Sequence, residues 1–286
     1  MVEGAWPAWA RLQGEAGWRA VDFISDLHLH RDDPATAQAW LAYLDRRDFD
    51  ALFILGDLFE VWVGDDVLGE GEGEAVASAH PERTFLRESC AALRRCALQR
   101  PVYVMQGNRD FLLGTGFHIA TGTQPLPDPV AFHWGSTHWL LSHGDAWCLA
   151  DTDYMAFRAQ VRSPQWQQAF LARPLQEREA IARDLRAQSE ARKAQSRKAG
   201  LQNDPSLWAD VDGPTALQWL EQTGCSTLLH GHTHRPACHV LPGGLQRLVL
   251  SDWDLMAQPP RAEVLRLRQS DTGTPQWQRL ALLADA

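Results

Sequence analysis

Residues 51–60 read ALFILGDLFE. The run up to Leu55 is a buried strand by composition, and the Gly-Asp that follows turns a carboxylate out at its carboxyl end. The same arrangement recurs in both directions. Upstream, a β-rich run from Ala20 to Ser25 ends in Ser25-Asp26-Leu27-His28, and Asp33-Pro34 then opens a helix, with Asp as the cap and Pro in the first turn. Downstream, a loop with Gly64, Gly69, Gly71 and Gly73 leads to a helix over 81–99 and a strand over 101–106, which ends in Gly107-Asn108-Arg109-Asp110. Two β-rich runs flanking Gly135-Ser136 predict a hairpin over 129–142, ending in Ser142-His143-Gly144-Asp145. A helix from Pro214 and a strand over 226–231 close the series with His230-Gly231-His232-Thr233-His234. Strands alternating with helices predict a largely parallel sheet, and ligands of such sheets gather outside the carboxyl ends of the strands.

Between 153 and 200 the pattern changes. Beta-branched residues become scarce, Pro164 and Pro174 divide the stretch, and Phe157, Val161, Trp166, Phe170, Leu171, Ile181 and Leu185 recur at spacings of three to five. The stretch reads as a helical insertion in an α/β domain. Short strands over 237–241, 245–251, 262–268 and 276–283 suggest a second, antiparallel-rich sheet. Residues 1–19 read as a weakly structured extension.

With 286 residues, at roughly 150 per domain, the chain makes one large domain or two small ones. The charge is −9 from 27 basic and 36 acidic residues, which disfavours a dedicated nucleic-acid binder. Five cysteines with no C-x-x-C pair argue against a disulfide framework and a thiolate zinc site, and suit a reducing cytoplasm. The N-terminus lacks the basic and apolar regions of a signal peptide, and no run is long and apolar enough to span a membrane.

Each strand-end block alone has a plain explanation. Asp26 could cap, with His28 a surface histidine; Asp57 and Asn108 could be turn residues, and His143 a hydrogen-bonded strand-end histidine. The 230–234 cluster is harder to dismiss, because closely spaced imidazoles are costly unless something holds them together. Five such blocks in order point to a metal site. Asp, Asn and His donors without thiolate suit Mn²⁺, Fe²⁺, Co²⁺ or Zn²⁺. Seven such donors exceed one ion's needs. Two ions sharing a bridging carboxylate use them all, and such a pair supplies hydroxide at neutral pH and steadies a phosphoryl oxygen. The expected reaction is hydrolysis of a phosphate ester or anhydride.

The blocks D-x-H, G-D, G-N, H-G-D and G-H-x-H, in this order, resemble those of the calcineurin-like metallophosphoesterases. The likeness is closer still to the lipid A pathway family of diphosphatases that act on UDP-2,3-diacylglucosamine. It rests on GDLFEVWVGDD (56–66), on GNRDFLLG (107–114), where most of the superfamily has His in place of Arg109, on AFRAQVR (156–162) and on HGHTHRP (230–236). It runs from about residue 20 to about 256. It implies an α/β fold, a four-layer αββα sandwich of two mixed sheets, forming one catalytic domain over 20–286 with an inserted helical lid over 153–200. The implied reaction is hydrolysis of UDP-2,3-diacylglucosamine to 2,3-diacylglucosamine 1-phosphate and UMP, with two Mn²⁺ ions. By the same resemblance Asp26, His28 and His234 hold one ion, Asn108, His143 and His232 the other, and Asp57 bridges them. Arg109 is the implied catalytic residue. Asn108, Arg109, Asp151, Ser189, Lys193, Arg197 and His232 bind substrate, and His230 packs at a strand end. The implied location is peripheral, on the anionic cytoplasmic face of the inner membrane, with no nucleic-acid or obligate protein partner.

The insertion fits that reading. Basic residues outnumber acidic ones over 173–198, in an otherwise acidic protein. An ordinary amphipathic helix pair with a solvated face would explain this. A lid with an apolar underside for acyl chains (Trp166, Phe170 and Leu171) and a basic rim for phosphate explains it too. The competing functions are another phosphodiesterase of the same fold, acting on nucleotides or other phosphoesters, and a non-catalytic module on a degenerate fold. Arg109 and the basic insertion weigh against the first, and the full ligand set against the second.

Overall fold

The computed structural model describes residues 9–69, 80–198, 210–270 and 275–282. Two six-stranded sheets face each other. In one, the strands β2 (Ala20–Ile24), β3 (Ala51–Leu55), β4 (Val102–Met105) and β5 (Gln124–Leu126) run parallel, and β11 (Glu263–Arg268) and β12 (Gln276–Ala281) extend it antiparallel beyond β2. The other runs in the order β1 (Ala10–Gln13), β6 (Val130–Trp134), β7 (Thr137–Ser142), β8 (Thr227–His230), β10 (Gln246–Val249) and β9 (Ala237–Val240). Within it β7, β8 and β10 are mutually parallel, and β6 and β9 are antiparallel to their inner neighbours.

Successive strand side chains point to opposite faces, and β3 is buried on both. Leu52 and Ile54 join a core under the helices α1 (Pro34–Leu44), α2 (Pro81–Ala97) and α3 (Thr115–Thr121), with Trp40, Leu93 and Phe117. Ala51, Phe53 and Leu55 join the core between the sheets, where the Phe53 ring lies 5.0 Å from both Phe23 and Phe132. Outside the second sheet, Trp219 of α7 (Gly213–Thr223) stacks on Trp147. The layers are therefore helix, sheet, sheet, helix, as expected. The predicted start of α1 is also observed, with the Asp33 side chain accepting from the Thr36 amide at 3.0 Å.

Two expectations need correction. Residues 10–13 are not weakly structured: they form β1, an edge strand parallel to β6. The strands after residue 237 do not build a sheet of their own. β9 and β10 extend one sheet, and β11 and β12 extend the other.

The insertion forms α4 (Thr152–Val161), α5 (Pro164–Leu171) and α6 (Leu175–Lys198), broken where Pro164 and Pro174 stand. Its inner surface is seated on the main domain. Phe170 is buried in the core under α1–α3, with Trp166 stacked on it at 4.7 Å. Arg178 is almost fully buried and donates to the Asp66 carboxylate and the Val63 carbonyl, and Arg83 of α2 forms a bidentate pair with Glu179. The expected acyl-binding underside is thus corrected for Trp166 and Phe170, which pack; Leu171 is exposed.

Candidate metal centre

Five strand ends supply the site: β2, β3 and β4 are adjacent in one sheet, and β7 and β8 are adjacent in the other. Past its end, each strand stays tied to its neighbour. Asp26 N donates to Gly56 O, His28 N to Asp57 O and Gly231 N to His143 O. The two sheets are joined by Asp26, whose Oδ2 accepts from Ser25 Oγ at 2.6 Å and from the His232 amide at 2.9 Å. Asp110 ties the β3 and β4 loops, accepting from the Gly107, Leu58 and Phe59 amides. The glycine of the G-N block is required by this closeness, since a Cβ on Gly107 would collide with the Asp57 carboxylate.

Among the described residues, every non-glycine with positive φ is a predicted ligand: Asp26, His28, Asp57, His232 and His234, at +47° to +66°. That left-handed region costs an L-residue roughly 1–2 kcal/mol, so the surrounding structure must hold all five turns. Strain gathered in this way marks a working site.

The seven predicted ligands form two groups. In the first, His28 Nε2 and His234 Nε2 stand 3.2 Å apart, and His234 Nε2 is 3.4 Å from Asp26 Oδ1. That carboxylate oxygen is buried and accepts no hydrogen bond. In the second, Asn108 Oδ1 lies 3.0 Å from His143 Nε2 and 2.9 Å from His232 Nδ1. Asp57 stands between them, with Oδ2 3.8 Å from His28 Nε2 and Oδ1 3.7 Å from His143 Nε2. An orphaned buried carboxylate oxygen and imidazole nitrogens aimed at one another fit divalent cations, and oxygen and imidazole donors suit them chemically. The outer ring nitrogens are also held. His28 Nδ1 faces Glu60 Oε2 at 3.0 Å, His234 Nδ1 faces Asp252 Oδ2 at 3.5 Å, and His143 Nδ1 lies 2.9 Å from Leu55 O. Such partners orient metal-binding imidazoles.

The field is strongly negative at one end. Burial opposes a charge on His143, yet the carboxylates of Asp57, Asp26 and Asp145 outweigh it and raise the imidazole to about 9. Burial and the charge on His143 push His232 down to about 4. Burial opposes ionisation of Asp26 too, but His234, His143 and His28 hold it well below the usual carboxylate range.

Over these groups opens a cavity of about 770 Å³ whose walls include Arg109, Asp151 and Tyr154. Arg109 donates its amide to Asp57 Oδ1 at 2.8 Å, and its guanidinium is 3.5 Å from Glu60. Asp151 caps α4, accepting from the Tyr154 amide at 2.9 Å. His230 packs, as expected: it is buried, with Nδ1 2.8 Å from the Gly231 carbonyl. Ser189, Lys193 and Arg197 fall within α6, but their side chains lie outside the described residues. Sequence reasoning gave no role to Glu60 or Asp252, because the signal that marks them is proximity to imidazoles far along the chain.

The model of the calcineurin-like phosphoesterase family matches residues 20–236. The UDP-2,3-diacylglucosamine hydrolase of Chromobacterium violaceum is 47% identical over 236 residues, covering 82% of this chain and 90% of its own. The proteins of that name from Chromohalobacter salexigens and Ralstonia nicotianae are 40% and 43% identical, covering 92% and 87% of this chain and 98% and 89% of theirs. The family match takes in all five strand ends and both groups of ligands, and the chain belongs to the calcineurin-like phosphoesterases.

Proposed function

We propose that this protein hydrolyses the diphosphate of UDP-2,3-diacylglucosamine to UMP and 2,3-diacylglucosamine 1-phosphate. One observation carries the reading beyond the family. A polar cavity over the ligand groups adjoins a second, more apolar one of about 400 Å³, and His30, Asp32, Glu60 and Arg186 line both. Leu29, Val61, Val67, Phe85, Leu86 and Ala182 form the apolar part of the second, beneath the insertion helix α6, beside the charged Glu82, Arg83, Glu179 and Arg183. A headgroup with a diphosphate and an acyl tail needs such a pair of adjoining compartments. The names of the relatives agree with it.

Asp26, His28 and His234 would hold one divalent ion, Asn108, His143 and His232 the other, with Asp57 touching both; Mn²⁺ is the proposed metal. Bound there, the ions supply Lewis acidity and a water activated at neutral pH. The chain's own residues do the rest. Arg109, planar and permanently cationic, steadies charge on the phosphate. Asn108 and His232 meet the phosphate from the ligand side, and Asp151 orients the substrate from the start of α4. Ser189, Lys193 and Arg197 of the lid complete the substrate site. Phe157, Leu171 and Leu185 are exposed apolar residues on the insertion. We place them, with its basic residues, against the anionic cytoplasmic face of the inner membrane. Among the described residues no helix is long and apolar enough to cross a membrane.

A phosphodiesterase acting on small nucleotides would have no use for the apolar compartment. The test is a product assay with purified protein, Mn²⁺ and the diacylated UDP-sugar. UMP and the lipid monophosphate are expected in equal amounts. Absence of both, beside rapid turnover of a nucleotide phosphodiester, would refute the assignment.

A further inference from the structure

We infer that Glu60 is a positioning residue of the metal centre: its single carboxylate orients His28 and holds Arg109 and the lid's Arg186 at the same point. The inference rests on the ligand assignment above and deepens it. Three cationic or imidazole groups from three parts of the chain converge on this side chain. Glu60 Oε2 is 3.0 Å from His28 Nδ1, and Oε1 is 3.5 Å from both Arg109 Nη1 and Arg186 Nε. Its side chain is only 11% exposed, so the contacts are little screened. Its backbone is fixed as well. Leu29 and Phe59 form a bridge between the β2 and β3 loops, and the Glu60 amide donates to Leu29 O. The carboxylate is thereby turned back toward His28.

Two consequences follow from the chemistry. A carboxylate 3.0 Å from Nδ1 favours the proton on that nitrogen by its charge and so leaves Nε2 free, and Nε2 is the atom that faces His234 and Asp57. The second concerns the arginines. Arg109 and Arg186 would repel each other beside a shared anion site, and Glu60 between them removes that repulsion. Of the ion pairs that tie α6 to the main domain, those of Arg178 with Asp66 and Glu179 with Arg83 are close and bidentate. The Arg186 pair is looser, and it alone of these three reaches the metal centre. A phosphate entering the cavity can take over the two guanidinium groups without breaking a tight pair.

The test uses the full chain, stripped of metal and titrated with Mn²⁺ by calorimetry, with Glu60→Gln and Glu60→Asp beside the wild type. Loss of such an outer carboxylate lowers metal affinity or activity by about 10–100-fold. Glu60→Gln should raise the Mn²⁺ dissociation constant by that factor while circular dichroism and cooperative unfolding stay those of the wild type. Glu60→Asp, which keeps the charge but retracts it, should fall between. At saturating Mn²⁺, Glu60→Gln should still lower kcat on a small chromogenic phosphodiester more than it changes KM, because Arg109 has lost its hold. Should Glu60→Gln fail to fold, the wild type decides. In the metal-free, ¹⁵N-histidine-labelled protein at alkaline pH, the neutral His28 ring should carry its proton on Nδ1. A proton on Nε2, or a Glu60→Gln protein that binds Mn²⁺ and turns over like the wild type, overturns the inference. No readout uses the lipid, so failure of the substrate assignment is seen separately. A wild type that binds neither Mn²⁺ nor Zn²⁺ refutes the ligand assignment and this inference with it.

Discussion

The Nε2 atoms of His28 and His234, 206 positions apart in the chain, face each other across 3.2 Å, and each ring has a carboxylate on its far nitrogen. Glu60 and Asp252 are those carboxylates, so the imidazoles are turned inward from both sides. One N–H donating to the other ring would satisfy a single pair of atoms. A divalent cation held by these groups would satisfy both rings and the orphaned Asp26 Oδ1 together.

Chelation should therefore remove activity and added Mn²⁺ restore it. Removal should also lower the melting temperature, because an ion bound only by the folded state adds stability by mass action. Asp57, which stands 3.8 Å from His28 and 3.7 Å from His143, touches both groups. Asp57→Ala should lose both ions, and His143→Ala chiefly one. Elemental analysis beside a melting curve checks this; full turnover by protein shown to be metal-free would refute it.

Arg109 should behave differently from the ligands. Its guanidinium contacts Glu60, and only its backbone amide contacts Asp57. Arg109→Ala should keep its metal content and lose about 10²–10³ in kcat, the scale of one transition-state charge stabiliser. A fall in metal content would mean the side chain supports the ligands instead.

Acid should weaken the attachment of the insertion. Asp145 Oδ2 accepts from Tyr154 Oη at 2.6 Å and Arg158 Nε at 2.7 Å, both on α4. Burial opposes its ionisation, but in the metal-free protein the charges on His143 and Arg158 hold the carboxyl well below its ordinary 3.8. A carboxyl depressed in the fold contributes stability above the unfolded value and loses it as pH falls below. The stability difference between wild type and Asp145→Asn should thus be largest near neutrality and shrink as pH drops below about 4. Denaturant melts at several pH values measure it, and a difference constant down to pH 2 would count against the pairing.

The apolar compartment should matter for lipid substrate alone. Each buried CH₂ is worth about 0.8 kcal/mol, so acyl chains seated against Phe85 and Leu86 would supply much of the binding energy. Phe85→Ser or Leu86→Ser should lower turnover of the diacylated UDP-sugar by tenfold or more and leave a small chromogenic phosphodiester nearly unchanged. Phe170→Ser, in the core, should instead lower the melting temperature and both activities. Equal losses on both substrates for all three variants would refute the acyl-binding role.

The strand-end blocks were legible because their signals are local. An apolar run followed by Gly-Asp or Gly-Asn is a strand leading into a tight turn, whatever lies around it. The seven ligand types could be read from that alone, while the αββα order and the division of the ligands into two groups came with the resemblance. β1 was not legible: Ala10-Arg11-Leu12-Gln13 has no β-branched residue, and it is a strand because β6 offers a free edge. Trp166 and Phe170 have the spacing of a lid's apolar face, but the same spacing serves a helix packed on a core. Burial of Phe170 under the domain decides between them. Sequence determined which side chains reach the carboxyl ends of the strands, since strand direction and turn chemistry are set within a few residues. Only the tertiary structure decided which ends meet and that Glu60 and Asp252 back the imidazoles. Those contacts depend on how two sheets and an inserted helix pack, and no short stretch of chain encodes that.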